Sequence, residues 1–246
     1  MTLPSAFASS PDPATEASAR REPEAEAAAD GPQRIGILGG TFDPPHVGHL
    51  WLASLAADAM QLDRVIFMPA AQPPHKQGRS ISPIVDRLLM TRLAIGGNDR
   101  FELSTLEVGR TGPSYTVDSV EELRRTYDDA ALFLIMSVDS LAQIDGWHEP
   151  DRLLSLIEWL VGPRPGTPPP DPEQLRHRFG AAADRIHLLD GPSLDVSATV
   201  VRERVAVGRT IRYLVPQAVE ELIVERGLYR RTRQRGEALG ADSSTE

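Results

Sequence analysis

The sequence predicts an α/β fold, a doubly wound parallel sheet in a single domain, and three observations carry that reading. Short apolar runs with a β-branched bias recur at Ile35, Val65, Leu132 and Trp159, each of the length of a strand buried on both faces. Segments of helical apolar spacing with their own start and stop signals lie between them. No internal repeat is visible, and strands that alternate with helices throughout imply crossovers between parallel neighbours. The 246 residues, 41% of them apolar, suffice for one good core.

Residues 1–33 are rich in Ala, Pro, Glu and Ser, so they bury too little to offset the entropy of ordering them, and a disordered tail is expected. The first structured stretch is RIGILGGTFDPPHVGHLWL, Arg34 to Leu52. Its run Ile35, Ile37, Leu38 is stopped at once by Gly39 and Gly40, which predicts a buried strand ending in a tight loop. Pro44 and Pro45 suit the loop and first turn of a helix, and from His46 onward Val47, Leu50, Trp51, Ser54 and Leu55 repeat at helical spacing. His46 and His49 then share the first turn, where free backbone N–H groups and the positive dipole end favour an anion.

A second buried strand is predicted over Arg64 to Ala70, followed by the loop QPPHKQG with His75 and Lys76. Ser82 is a candidate cap for a helix running to Ile95, with Gly96 and Gly97 as its stop. Phe101 to Val108 alternates as a strand does. A loop holding Gly112 and Pro113 leads through Ser114 and Tyr115 into a helix capped by Thr116. Ala131 to Ser140 is the most apolar strand and ends on polar residues, Asp139 among them, as a central strand leading into a site should. Helical spacing from Leu141 to Leu160 is interrupted where Trp147 and His148 stand. Further strands are predicted at Trp159–Val161 and Arg185–Leu189, with a helix over Asp171 to Phe179 between them. In LDVSATVVRERVAVG, Leu194 to Gly208, Ser197 is a good N-cap and Thr199 lies in the first turn. Arg202, about a turn and a half on, can fork onto an anion held at that helix start. Pro216 opens a last helix, Gly227 stops it, and Arg230 to Glu246 is expected to be a flexible tail.

The stretch GGTFDPPHVGHL resembles the signature of the nucleotidyltransferase superfamily, Rossmann-like adenylyltransferases marked by a histidine pair in the form HxGH. Its leading GGTFDPPH is most similar to bacterial nicotinate-nucleotide adenylyltransferases, and SATVVR resembles the superfamily's second motif, ISSTxIR, with Ala198 in place of a serine and Val201 in place of the isoleucine. The resemblance spans residues 34–229 and implies transfer of AMP from ATP to nicotinate mononucleotide, with Mg²⁺ arriving on ATP. It implies His46, His49 and Arg202 as catalytic residues, and Gly39, Gly40, Thr41, Phe42, Lys76, Asp139, Ser197 and Thr199 as ATP-binding. Asp43, Ser114, Tyr115, Thr116 and Trp147 fall to the mononucleotide, Trp147 by stacking on the pyridine ring. Local explanations stand beside several of these: core packing for Tyr115 and Trp147, helix capping for Thr116 and Ser197, a solvated loop for Lys76. The chain departs from the family's Gly-Ala before Asp139, where it carries Ser137 and Val138 and is expected to narrow the nucleotide's approach. Two alternatives follow, a sister enzyme that adenylates or cytidylates another phosphate, and a non-catalytic nucleotide-binding homologue.

Composition bounds the rest. With no cysteine, disulfides, thiolate metal sites and cysteine catalysis are out, which fits a reducing cytoplasm. No apolar run approaches the length of a membrane span, and no signal pattern opens the chain. The net charge is −9, of which residues 1–33 supply −4 through six acids against Arg20 and Arg21. A chain this acidic lacks the basic surface a nucleic-acid partner needs. His46 and His49 as zinc ligands would want a third ligand, so no protein-held metal is expected. Oligomeric state is left open.

Overall fold

The structure, a computed structural model, describes residues 31–74 and 80–230. Six strands form one sheet: β1 (Arg34–Gly40), β2 (Arg64–Pro69), β3 (Phe101–Leu103), β4 (Ala131–Ser137), β5 (Glu158–Gly162) and β6 (Ile186–Leu188). They are hydrogen-bonded in the order β3-β2-β1-β4-β5-β6, every pairing parallel. The order reverses between β1 and β4, and there the crossovers leave toward opposite faces, opening a crevice at the strands' C-terminal ends.

Successive side chains on β4 alternate between the two faces, as the pleat requires. Leu132, Leu134 and Met136 join a cluster with Val117, Val120 and Leu123 of α3 (Thr116–Thr126) and with Leu153 of α5 (Pro150–Leu156). Phe133 and Ile135 join a second cluster with Ala53, Ala56 and Ala57 of α1 (Val47–Ala59) and Ile95 of α2 (Ile84–Ile95). With helices on both faces the sheet is doubly wound. α4 (Val138–Ala142) follows β4 directly, and α6 (Pro172–Phe179) starts with Asp171 as cap, its Oδ1 accepting from the Gln174 N–H at 2.8 Å. A third cluster unites α2 with α7 (Ala198–Ala206) and α8 (Gln217–Glu225) through Met90, Val201, Val219 and Ile223.

Several boundaries differ from the sequence-based expectation. β3 stops at Leu103 because the Ser104 hydroxyl accepts from the Leu106 N–H at 3.2 Å, a side-chain turn that competes with the strand ladder. Thr116 is the first residue of α3 and Tyr115 occupies the cap position, so the Thr116 hydroxyl does not cap. Pro83 rather than Ser82 precedes α2, and both Pro44 and Pro45 remain in the loop before α1. Of the expected tails, residues 1–30 and 231–246 lie outside the described residues, as does the 75–79 loop. Among the described residues no helix is long and apolar enough to cross a membrane.

Candidate active site

A cleft of about 350 Å³ opens at the switch point. It is lined by Gly39 and Gly40 from the end of β1, by Thr41 and His49, by Ser114, Tyr115 and Thr116, and by Ser137, Trp147 and His148. Eight of the expected residues therefore meet there: Gly39, Gly40, Thr41, His49, Ser114, Tyr115, Thr116 and Trp147.

The two histidines part company. His46 occupies the N-cap of α1 with an extended backbone, and its side chain is turned inward, 5% exposed and outside the cleft lining. Burial first, then the charge of Arg164, pulls its pKa down to about 4, so the ring is neutral at pH 7. Of the two imidazoles expected to face an anion, only His49 lines the cleft, and it packs against His46. The His49 ring stacks on it at 3.7 Å between centroids, and the buried Phe42 ring meets His49 edge-on at 5.0 Å. His49 Nδ1 accepts from the His46 backbone N–H at 3.1 Å, so a neutral His49 carries its proton on Nε2. Phe42 is 1% exposed and does not line the cleft.

Gly48, between the histidines, explains why that spacing contains a glycine. A Cβ there would lie 2.9 Å from Val196 Cγ1 and 3.0 Å from His46 Nδ1. Val196 is the residue before Ser197, whose Oγ accepts from the Val200 N–H at 3.2 Å and caps α7. The second motif thus presses directly on the first. Arg202 ties them again, Nη1 donating to the Asp43 carbonyl at 2.7 Å and Nη2 to Thr199 Oγ1 at 3.2 Å. Ser197, Thr199 and Arg202 stand beside the first motif and outside the cleft lining.

Asp43, expected at the mononucleotide, does not line the cleft either. It is 4% exposed, and its carboxylate accepts from the Tyr229 hydroxyl and the Ser82 N–H. Asp139 also lies off the lining, with Oδ2 3.8 Å from Arg164 Nε. Val138 packs into the core, so of the pair that departs from the family pattern only Ser137 lines the cleft, its Oγ 3.4 Å from that of Ser140. Trp147 packs against the core and also lines the cleft. Lys76 lies outside the described residues.

Sequence reasoning missed four residues here. Arg87 is buried in α2 and binds the carbonyls of Thr41, Ala70 and Ala71, a role signalled only by an arginine on an apolar stripe with Met90, Thr91 and Ala94. Glu107 lines the cleft with its Oε1 accepting from Ser119 Oγ at 2.7 Å, and burial raises its pKa against the hydrogen bonds that lower it. It was hidden because 101–108 reads as a strand. Arg164 stands between Asp139 and the Val196 carbonyl, and His148 stacks on Tyr115 at 4.1 Å.

A doubly wound sheet with a glycine turn and a helix start at its switch-point cleft has the build of a nucleotide-binding protein. Residues 37–204 match the cytidylyltransferase-like family. A probable nicotinate-nucleotide adenylyltransferase of Thermomicrobium roseum is 50% identical over 80% of this chain and 92% of its own length. A protein of the same description from Rubrobacter xylanophilus is 40% identical over 86% of this chain and 100% of its own. Among solved structures, nicotinic acid mononucleotide adenylyltransferase of Plasmodium falciparum, complexed with NaAD, shares the fold at a TM-score of 0.69 and 17% identity, covering 80% of this chain and 97% of that one. The chain belongs to the cytidylyltransferase-like nucleotidyltransferases and, within them, to the nicotinate-nucleotide adenylyltransferases.

Proposed function

We infer that the protein transfers AMP from ATP to nicotinate mononucleotide, giving nicotinate adenine dinucleotide and pyrophosphate, a step of NAD biosynthesis. The observation that carries the reading is the interlock of the two motifs. Arg202 bonds the loop at Asp43, 159 residues away, and Val196 seats against Gly48, all beside a cleft that Gly39, Gly40 and His49 line. The acceptor's phosphate oxygen attacks the α-phosphorus of ATP in line. A new P–O bond forms as the bond to the bridging oxygen of pyrophosphate breaks, and an ionised phosphate needs no base. Positioning and charge stabilisation then carry the rate.

In this reading His49, its Nδ1 already engaged, donates from Nε2 to the phosphates as charge shifts toward the leaving group. Gly39, Gly40 and Thr41 let backbone approach the nucleotide, and Arg202 with the Ser197 helix start holds the departing pyrophosphate. Ser114, Tyr115, Thr116 and Trp147 form the mononucleotide's side. The divalent ion would arrive as Mg²⁺ on the triphosphate, held mainly by phosphate oxygens and water. It would draw charge off the phosphate oxygens.

Pyrophosphate release from ATP, Mg²⁺ and nicotinate mononucleotide tests the function, and a folded protein that releases none would refute it. A panel of acceptor phosphates and CTP separates the sister activities. Arg202→Ala should raise the KM for ATP more than that for the acceptor, because the lost cation faces the triphosphate side. A change confined to the acceptor's KM would put the second motif elsewhere.

Between pyridines, kcat/KM should favour nicotinate over nicotinamide mononucleotide by at least about tenfold. The ring carboxylate needs donors, which the helix start after Ser114 can offer, and an unmatched polar contact of this kind costs about 1 to 3 kcal/mol. Trp147 stacks on either ring equally. Comparable values for the two acceptors would defeat this assignment of the 112–116 loop.

A further inference from the structure

Asp43 receives donors from three distant parts of the chain. Its Oδ1 accepts from the Tyr229 hydroxyl at 2.6 Å, its Oδ2 from the Ser82 N–H at 3.3 Å, and its carbonyl from Arg202 Nη1 at 2.7 Å. The residue sits between the glycine turn of β1 and the His46 cap of α1, so fixing it fixes the path from Thr41 to His49. Tyr229 comes from beyond α8 and lines no part of the cleft. Its φ is +63°, a conformation that residues other than glycine keep only where their surroundings hold them. The ring packs against the third cluster, and the hydroxyl lies 3.8 Å from Met90 Sδ.

From this convergence, and resting on the transfer reading above, we propose that Tyr229 is a positioning residue for the reaction: its hydroxyl latches Asp43, and through Asp43 sets where His49 and Arg202 stand. A buried carboxylate that loses a donor moves or admits water to regain one. Arg202 hangs on the same residue's carbonyl, so such a shift displaces cation and histidine together. Misplacement of about an ångström suffices to slow a transfer that depends on alignment. Burial and then the Asp43 carboxylate push the phenol's pKa upward, so the hydroxyl keeps its proton and remains a donor.

The test uses the full chain as wild type, Tyr229→Phe, Asp43→Ala and the double variant, with kcat, both KM values, melting temperature and amide exchange over 41–50 as readouts. Phenylalanine keeps the ring's packing and removes only the hydroxyl. The latch predicts that Tyr229→Phe lowers kcat roughly tenfold with both KM values within about threefold, and speeds amide exchange at 41–50. It also predicts that Tyr229→Phe adds nothing further in the Asp43→Ala background. A kcat within about twofold of wild type together with unchanged exchange, or losses that multiply in the double variant, would overturn it. Should Tyr229→Phe not fold, Asp43→Ala decides alone, wild-type kcat and exchange counting against the latch and a tenfold loss for it. Wild-type protein that turns over no nicotinate mononucleotide would sink the transfer reading, and amide exchange would still judge the latch.

Discussion

Replacing His49 by alanine should lower kcat roughly 10²- to 10³-fold, the largest catalytic effect expected of any single side chain here. The ring is prepared for one task. Its Nδ1 is taken by the His46 backbone N–H at 3.1 Å, which leaves the proton on Nε2, and it is clamped between the His46 face and the Phe42 edge at centroid distances of 3.7 and 5.0 Å. A donor held this way costs no reorganisation when charge develops on the phosphates, and losing one such donor typically removes about 2.7 to 4 kcal/mol of transition-state stabilisation. The structural loss is smaller. The hydrogen bond to the His46 amide, worth about 0.5 to 1.5 kcal/mol, and the ring contacts with His46 and Phe42 are among what is lost, so the variant should fold and melt only a few degrees lower. Turnover and melting temperature measured on the same sample separate the two effects. Near-normal kcat in a folded His49→Ala protein would remove His49 from the mechanism.

The histidine pair also shows where sequence reading reaches and where it stops. Strand ends, glycine turns and helix starts are local signals, so the six parallel strands and the glycine turn from Gly39 to Thr41 were legible, while Ser114 to Thr116 were singled out by the family resemblance. That His46 turns inward was not legible, because spacing alone puts both rings on one helical turn, while tertiary packing decides which of them lines the cleft. The burial of Asp43 went unseen for a related reason. A carboxylate in a loop beside a glycine turn reads as ligand-facing, and nothing local announces that its donors come from Ser82, Arg202 and Tyr229. Contacts between side chains and remote backbone carbonyls leave no periodic trace, which also hid Arg87. One strand end failed locally, where Ser104 formed its own turn within an alternating pattern.

Arg87→Ala should cost the most in stability, about 3 to 5 kcal/mol, or roughly 10 °C in Tm for a domain of this size. Arg87 is 2% exposed, and its guanidinium donates to four carbonyl oxygens: Ser82 from Nε at 3.0 Å, Thr41 and Ala70 from Nη1 at 2.9 and 2.7 Å, and Ala71 from Nη2 at 3.1 Å. Burial lowers its pKa and the Asp43 charge raises it again, but an arginine stays protonated regardless, so a full positive charge sits under the cleft loops. Relief of its desolvation offsets part of the loss on removal. It does not offset it all, because the carbonyls left without donors cost about 1 to 3 kcal/mol each before water enters, and the emptied stem leaves a cavity. Arg87→Lys discriminates the mechanism. A lysine restores the charge but lacks the planar fork that spans carbonyls from two separate loops, so it should recover less than half of the lost melting temperature. Thr41 and Ala70 both line the cleft, so activity should fall with stability in both variants. Thermal unfolding of the three proteins, with and without ATP, is the measurement. A drop below about 3 °C for Arg87→Ala, near the shift expected from a single kcal/mol, would mean that the loops hold their places without the arginine.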